Sequence, residues 1–243
     1  MSETIKILNF VEPIAGAEDY CEEYYRTVHV PLIARTLRED PRWVSYYQNR
    51  LVAGYDALGG FSKRPDRWRL VLLRGVAEEA GGGRAFRPNN PELQRVVELD
   101  HPNFLSAITR LEAREVTVHD SLGAQSALNK YVVAFASAGE MASGRSAAVD
   151  EFMEAASSAV GCRLALVNQV IGEVESTTVG QAVVPSDRYV AVPTFHHVVE
   201  LYFDNPFDAR SFFASADVLE RLHYGESRTE VFEAQESCGF DRR

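Results

Sequence analysis

The sequence predicts an α+β fold in which two ferredoxin-like βαββαβ units pack sheet to sheet as an intramolecular α+β barrel. Two observations carry this prediction. The order of strand-like and helix-like segments in residues 1–125 is repeated in residues 126–243, and each unit would leave an apolar sheet face bare, which is most simply buried against the other unit. We therefore expect a first unit in residues 1–125, which carries the candidate site, and a second, degenerate unit in residues 126–243, around a shared core or cavity.

Local patterns predict the elements of the first unit. Strands are predicted at residues 5–11, 43–52, 68–76 and 115–122, where β-branched and aromatic residues are frequent. Apolar residues at three- and four-residue spacing predict a helix at residues 18–37. Pro91 is suited to the first turn of a second helix, which we expect to run in some form to about Leu111 with a break near Asp100 and Pro102.

The second unit repeats this order. Strands are predicted at residues 131–136, 163–174, 195–204 and 229–237, and helices at residues 147–160 and 206–222. The polar segment at residues 123–129 is the expected linker between the units. An insertion at residues 175–194 is either a cover over a cavity mouth or, more simply, a solvated loop.

Composition and charge narrow the classes of function. Lys and Arg number 25 against 35 Asp and Glu, a net charge of −10, so we expect no nucleic acid partner. Cys21, Cys162 and Cys238 show no CxxC spacing, which argues against a disulfide framework and a thiolate zinc site. The chain shows no membrane-length apolar stretch and no signal-type N-terminus, so we expect a cytoplasmic protein without membrane contact.

Several catalytic motifs are missing from the sequence. It contains no GxGxxG after a strand, no GxxxxGK[ST], no HExxH and no GxSxG, which disfavours nicotinamide, nucleotide, zinc-protease and serine-hydrolase chemistry. We expect no metal and no cofactor. Haem alone stays open, because one histidine suffices as its proximal ligand.

Short motifs in both units resemble the EthD-like branch of the dimeric α+β barrel superfamily. They are HVPL at residues 29–32, YYQNR at residues 46–50, VELYFD at residues 199–204 and FFAS at residues 212–215. The resemblance implies a histidine near the end of the first helix and a tyrosine on the second strand, both facing the barrel cavity, and these positions match His29 and Tyr47. Family members are usually single units that dimerise, so this chain resembles a fused dimer, and a further homodimer stays open.

His29 is the candidate general acid and base. It lies at the margin of the apolar stripe of the first helix, and Pro31 denies the carbonyl of Thr27 an amide hydrogen, so we expect the helix to kink or end beside the histidine. An imidazole there can take and return a proton near neutral pH. The structural alternative is a packed histidine bonded to the backbone.

The second strand supplies further candidates. Alternation places Trp43, Ser45, Tyr47, Asn49 and Leu51 on one face, which we interpret as the cavity face. Tyr47 and Asn49 would then donate hydrogen bonds to a substrate carbonyl or phenolate. The alternatives are a core aromatic for Tyr47 and a structural bridge between strands for Asn49.

Three more residues complete the predicted site. Tyr25 and Trp43 would form apolar walls, and His119 is either a second cavity histidine or a residue on a solvated face. The second unit has Leu166 in place of Tyr47 and no counterpart of His29, so any chemistry is expected in the first unit.

These residues predict a cofactor-independent enzyme of small-molecule or secondary metabolism that cyclises or isomerises an aromatic or polyketide-like substrate. Two alternatives stay open. One is a cofactor-free monooxygenase of polycyclic phenols. The other is a non-catalytic module for small-molecule binding or stress response, which a filled interior without a pocket at His29 would favour.

Overall fold

The computed structural model describes residues 4–56, 60–63, 69–76, 91–121, 128–136, 147–173, 195–222 and 229–241. The predicted insertion at residues 175–194 lies outside the described residues, and so does nearly all of the predicted linker at residues 123–129. The strands are β1 (Thr4–Pro13), β2 (Trp43–Asp56), β3 (Gly60–Lys63), β4 (Arg69–Val76), β5 (Leu105–Asp120), β6 (Asn129–Ala136), β7 (Cys162–Glu173), β8 (Phe195–Phe203) and β9 (Thr229–Asp241). The helices are α1 (Glu18–Tyr24), α2 (Val30–Glu39), α3 (Pro91–Asp100), α4 (Ala147–Ser157), α5 (Pro206–Phe213) and α6 (Ala216–Leu222).

Eight antiparallel strands close into a barrel. Their order is β2-β4-β1-β5-β7-β8-β6-β9, and β9 pairs back onto β2, while β3 extends the sheet outside the ring by pairing with β2. Within each half the fourth, first, third and second strands of the unit lie side by side, which is the ferredoxin-like order. The predicted fold of two such units packed sheet to sheet is therefore confirmed.

The barrel interior is a packed core. Apolar side chains from all eight strands form one cluster, to which Phe10, Leu72, Leu111, Val132 and Phe232 belong. The prediction left a core or a cavity open, and the described interior is a core.

Toward one end of the barrel this core gives way to charged side chains. Lys6 on β1 and Lys130 on β6 both contact Glu200 on β8, and all three are about 1% exposed. Glu115 and Glu236 add one further carboxylate to each lysine. Buried charges persist only when they are paired, and each charge in this network has a partner of opposite sign within it.

Helices cover the two outer faces of the barrel. The helix-covered face of the first half, here called the first helix layer, contains Ile7, Cys21, Tyr25, Val71 and Ile108 in one buried cluster. A second cluster packs α4, α5 and α6 against the other half. No helix in the described ranges is both long and apolar enough to cross a membrane.

The structure corrects the predicted second helix of the first unit. The helix α3 ends at Asp100, a short 3₁₀ turn covers His101–Asn103, and β5 begins at Leu105, so the extension to Leu111 is wrong. From Thr109 to Arg114, buried positions alternate with more exposed ones, which is the periodicity of a strand. Pro102 cannot continue the helical hydrogen bonding.

Two further elements differ from the sequence prediction. The helix expected at residues 206–222 is divided into α5 and α6 at Ala214 and Ser215. The strand β3 lies between the strands predicted at residues 43–52 and 68–76, where the sequence predicts no strand. Its Phe61 lies beside the ring of Phe213 in the second half, with ring centroids 5.4 Å apart, so a long-range contact supports this strand.

Candidate active site

His29 lies on a π-helical turn, Tyr25–His29, between α1 and α2. The backbone N–H of Val30 donates to the carbonyl of Tyr25, five residues back, so one residue is added to the turn. Pro31 follows at once and has no N–H to return the chain to regular bonding at that point. The expected disturbance is therefore present, but the helix widens beside the histidine rather than ending there.

The His29 side chain is paired with Asp100. Its Nδ1 lies 2.8 Å from Asp100 Oδ2, and the imidazole is 3% exposed. Because a carboxylate only accepts hydrogen bonds, Nδ1 carries the proton and donates it. This leaves Nε2, which makes no hydrogen bond to any described residue, as the nitrogen that can accept a proton.

Asp100 also connects the histidine to the surface. The half-buried Tyr24 hydroxyl donates to Asp100 Oδ1 at 2.5 Å, and the exposed Asn103 amide donates to the same oxygen at 3.3 Å and to the Tyr24 hydroxyl at 3.1 Å. The carboxylate is therefore held on both oxygens, which fixes the orientation of the imidazole.

Aromatic rings surround the pair. The ring centroids of Phe104, His101 and Tyr25 lie 4.5, 5.2 and 5.4 Å from that of His29. Behind them, the hydroxyls of Tyr25 and Tyr46 are 3.3 Å apart. The result is a largely aromatic surrounding in which the Asp100 carboxylate is directed at the His29 imidazole.

The electrostatics keep His29 neutral and Asp100 ionised. Burial lowers the pKa of His29 below its ordinary value, although the hydrogen bond and charge of Asp100 act in the opposite direction. Burial alone would raise the pKa of Asp100, but the hydrogen bonds from His29 and Tyr24 outweigh it and hold that pKa below its ordinary value. A neutral imidazole beside a carboxylate is a general base that can store a proton as imidazolium.

His101 is a second buried histidine at this site. It is 6% exposed, and its Nδ1 has no hydrogen-bond partner among the described residues. Burial, followed by the nearby His29 and Arg110, lowers its pKa well below the ordinary value, so it stays neutral.

The structure separates Tyr47 from His29. Tyr47 packs against the barrel core, and its hydroxyl donates to Asp241 at 2.5 Å, whereas His29 lies on the opposite face of the sheet, under the first helix layer. The expectation that both face one barrel cavity is therefore wrong. In this structure the functional groups around His29 lie between helices and sheet rather than between the two sheets.

Two further predicted residues, Asn49 and Trp43, do not have the surroundings that the main sequence prediction gave them. Asn49 is fully buried, and its amide donates to the Leu70 carbonyl on β4 at 3.0 Å, which is the bridging geometry of the structural alternative. Trp43 lies with Tyr46 in the first helix layer, because a register shift after Trp43 breaks the alternation that grouped it with Tyr47. Its predicted place on the face of Tyr47 is wrong.

Tyr25 and His119 complete the comparison with the sequence. Tyr25 does lie beside His29. His119 lies near the end of β5, half-buried, with Nε2 3.1 Å from the Ser121 hydroxyl, and it pairs with β7 rather than joining the His29 group.

Tyr24, Asp100 and His101 were not predicted as site residues from the sequence. The sequence predicts a helix break near Asp100 and Pro102, and at this break Asp100 and His101 contact His29. The signal available in the sequence was the Asp-His-Pro run at residues 100–102, which places two ionisable side chains at a predicted helix break.

The fit of a haem to His29 can be judged from its neighbours. The rings of Tyr25, His101 and Phe104 contact the imidazole, and Nδ1 is bound by Asp100. Within the described residues these contacts do not form a slot for a porphyrin, so no chemical step below uses one. The same residues contain no cluster of three or more metal-type ligands.

Comparison with known proteins gives the fold. No family model matches this chain, and no curated protein matches it. An anthrone oxidase-like protein of solved structure aligns with a TM-score of 0.53 and 11% sequence identity, over 100% of this chain and 98% of its own.

Two further solved structures align less well. A proposed monooxygenase from Fusobacterium nucleatum subsp. nucleatum gives a TM-score of 0.49 and 8% identity over 99% of this chain and 97% of its own. A haem-binding protein from Thermus thermophilus gives 0.39 and 11% over 96% and 92%. At such identities the likeness is one of fold alone. The chain therefore shares the α+β barrel fold of the anthrone oxidase-like protein.

Proposed function

We propose that this protein is a cofactor-independent oxygenase that deprotonates a polycyclic phenol or its keto tautomer and lets the resulting carbanion react with oxygen directly. One observation carries the proposal: the buried His29–Asp100 pair, joined at 2.8 Å and enclosed by aromatic rings. An apolar surrounding suits an aromatic substrate, and a neutral imidazole suits the removal of an acidic C–H proton.

The chemistry balances without a cofactor. His29 Nε2 takes a proton from the activated CH2 group, and Asp100 stabilises the imidazolium. The carbanion gives one electron to O2, and the two radicals combine to a peroxide anion, which the imidazolium protonates to the hydroperoxide. Loss of the second C–H proton and cleavage of the O–O bond release water, so that CH2 plus O2 becomes C=O plus H2O.

Cyclisation or isomerisation is the second candidate, since the same base serves enolisation. The two differ in their need for oxygen, which makes them separable by experiment. The filled interior of the barrel favours the non-catalytic alternative, and His29 lines none of the described pockets. We keep the enzyme as the first proposal because the His29–Asp100 pair lies outside the barrel, under the first helix layer. We also retain two earlier expectations as proposals, membership of the EthD-like branch and a homodimer. Sedimentation analysis tests the homodimer.

The test is turnover on a panel of polycyclic phenols, polyketide-like ketones and unsaturated lactones, in air and under nitrogen, with products identified by mass spectrometry. We expect oxidised product in air only, lost in His29→Ala and retained in His119→Ala, a matched histidine variant away from the site. Turnover under nitrogen would instead assign cyclase or isomerase chemistry. Oxidation at equal rates in wild type and His29→Ala would refute the proposal, and a Soret band in the active protein would refute its cofactor-free part.

A further inference from the structure

A second place with chemical potential is an open groove between α2 and the end of β9. It measures about 800 Å³, and its lining includes Arg26, Arg35, Arg38, Gln48, Cys238 and Gly239. It does not involve the residues of the His29 group, and the proposed function makes no use of it.

The groove carries an excess of positive charge in an acidic protein. Arg26, Arg35 and Arg38 face one acid in the lining, Glu39, while the whole chain has a net charge of −10. Arg26 pairs with Glu23 at 2.9 Å and Arg35 with Glu39 at 3.3 Å, both on open surface. Such exposed pairs are weak and exchange readily with an incoming anion. Guanidinium groups bind carboxylates in a bidentate manner, so the groove favours an anionic ligand.

A buried amide in the groove points to the same conclusion. Gln48 on β2 is 6% exposed and lines the groove, yet its side chain makes no hydrogen bond to any described residue. Most buried polar groups have a hydrogen-bond partner, so an amide without a protein partner at this place is available to a polar ligand.

A free thiol lies at the same place. Cys238 is exposed, whereas Cys21 and Cys162 are buried, so Cys238 is the accessible thiol of the three. The Arg38 guanidinium donates to the carbonyl of the next residue, Gly239, at 3.5 Å, which brings this cation to the backbone beside the thiol.

We propose that the groove recognises a small disulfide that carries carboxylates and that Cys238 captures one half of it. The Cys238 thiolate attacks one sulfur of the ligand, the ligand S–S bond breaks, and a new S–S bond to Cys238 Sγ forms. The other half leaves as a thiolate and takes up the proton that Cys238 lost, so the exchange needs no further oxidant. The arginines bind the carboxylates, and Gln48 donates to a ligand oxygen.

The captured ligand would lie close to the His29 site. Val30 and Pro31, which follow His29 in the chain, line the groove. At Gly239 a Cβ atom would come within 2.3 Å of the Tyr46 ring, so β9 packs tightly on a residue whose hydroxyl is 3.3 Å from that of Tyr25. The groove therefore borders the helical turn that carries His29, and the strand β9 beside the groove packs on Tyr46.

The test compares glutathione disulfide, as the charged probe, with bis(2-hydroxyethyl) disulfide, as the neutral one, by intact-mass measurement on the folded protein. We expect one adduct, absent from Cys238→Ser, that forms at least about tenfold faster with the charged probe and slows at high salt. Arg38→Met and Gln48→Leu should slow the charged probe alone. Arg163→Met, a surface arginine outside the groove, is the control and should not change either rate.

Three outcomes would overturn the proposal. They are equal rates for the two disulfides, an unchanged rate with the charged probe in Arg38→Met and Gln48→Leu at unaltered melting temperature, and adducts on Cys21 or Cys162 at the rate of Cys238. Each would identify Cys238 as an exposed thiol without recognition. Because the readout is mass rather than turnover, failure here is independent of the proposed oxygenase activity.

Discussion

At His29, burial and a charged neighbour act on one imidazole in opposite directions. Burial disfavours the imidazolium, while Asp100 favours it, and burial has the larger effect on the pKa. The side chain is therefore neutral at pH 7, ready to accept a proton, with the counter-charge for the protonated form already in place. A histidine whose role was only to pack would not need a carboxylate held by two further donors, Tyr24 and Asn103.

The first prediction concerns Asp100→Asn. It removes the acceptor that fixes the Nδ1–H tautomer and the charge that stabilises the imidazolium, so kcat should fall by about 10²- to 10⁴-fold. Because Asp100 raises the pKa of His29, its removal should also move the acid limb of the kcat/KM profile to lower pH. Steady-state kinetics between pH 4 and 8 measure both.

Tyr24→Phe is the matched control for this variant. It removes the hydrogen bond to Asp100 Oδ1 but leaves the 2.8 Å contact with His29, so the loss in kcat should stay under about tenfold. An Asp100→Asn enzyme with wild-type kcat would contradict the role given to the pair.

The second prediction concerns His101 and stability. The folded state holds the pKa of this histidine well below its ordinary value, while the unfolded chain binds a proton near pH 6.5. The unfolded state therefore takes up more protons as the pH falls below about 6.5, and the free energy of unfolding decreases, by at most about 1.4 kcal/mol per pH unit for one histidine. Urea unfolding at pH 7 and pH 5 should show a smaller decrease in His101→Asn than in wild type, and an equal decrease would contradict this assignment.

At the scale of elements, the π turn shows what can and what cannot be predicted from local sequence. Pro31 predicts a disturbance beside His29, and the structure contains one. The form of the disturbance was not predictable, since a kink, a stop and a widened turn all relieve the missing N–H. Packing against α3 and the following 3₁₀ turn, which are distant in sequence, supports the widened form.

The sequence prediction failed in two respects, the face on which one residue of β2 lies and the residue at which β5 begins. Strict alternation along β2 fails at Trp43, because a register shift turns this residue to the helices. The start of β5 at Leu105 was interpreted as helix, because its apolar residues suit both periodicities over a short span. The site was predicted in the barrel because the resemblance implies that His29 and Tyr47 face its cavity. The residues that complete the His29 group, Asp100 and His101, lie in the connection that was misassigned as helix.

The third prediction concerns two glycines with positive φ. Gly161 (φ 76°) and Gly16 (φ 78°) have the same backbone strain for any other residue, but a Cβ at Gly161 would come within 2.3 Å of Asp208 Oδ2, while Gly16 has open space. Asp208 lies in the first turn of α5, whose cap is Asn205.

Gly16→Ala should therefore cost about 1–2 kcal/mol from φ alone, and Gly161→Ala should cost about 1–3 kcal/mol more from the clash. Chemical denaturation measures both, and the difference between the variants isolates the contact. Equal losses of stability would contradict the close approach of Asp208.

At the scale of the whole molecule, one carboxylate connects the two halves. Glu200 on β8 contacts Lys6 of the first half and Lys130 of the second, and Asn168 donates to it at 2.9 Å. Burial alone would raise the pKa of Glu200, but the two lysines hold it well below the ordinary value. The barrel interior thus contains a charged contact between the two halves, and this contact has a directional preference that apolar packing alone lacks.

The fourth prediction concerns Glu200→Gln. It leaves two buried lysines short of an anion, so the free energy of unfolding should fall by about 3–5 kcal/mol. Glu236→Gln is the control, because its carboxylate is 26% exposed and Lys130 keeps Glu200, so its loss should be about 1 kcal/mol. Similar losses of unfolding free energy in both variants would contradict the prediction that the buried charge of Glu200 stabilises the fold more than the exposed charge of Glu236.

The fold itself was accessible from sequence because its two units repeat one order of elements, whereas the location of the site was not. A barrel of this kind has a shared interior and two outer faces, and each of these three places is a candidate for a functional site. Here the described interior is filled, by Phe10 and Phe195 among others, and the His29–Asp100 pair lies under the first helix layer.

The most direct test of the central claim, that His29 is the proton acceptor, is hydrogen exchange under nitrogen. The keto tautomer of a polycyclic phenol, dissolved in D2O, should exchange its acidic CH2 protons faster with wild-type protein than without it. Exchange should fall to the uncatalysed rate with His29→Ala and by about 10²-fold or more with Asp100→Asn. Exchange at the wild-type rate in His29→Ala would contradict the claim, whatever the later reaction with oxygen.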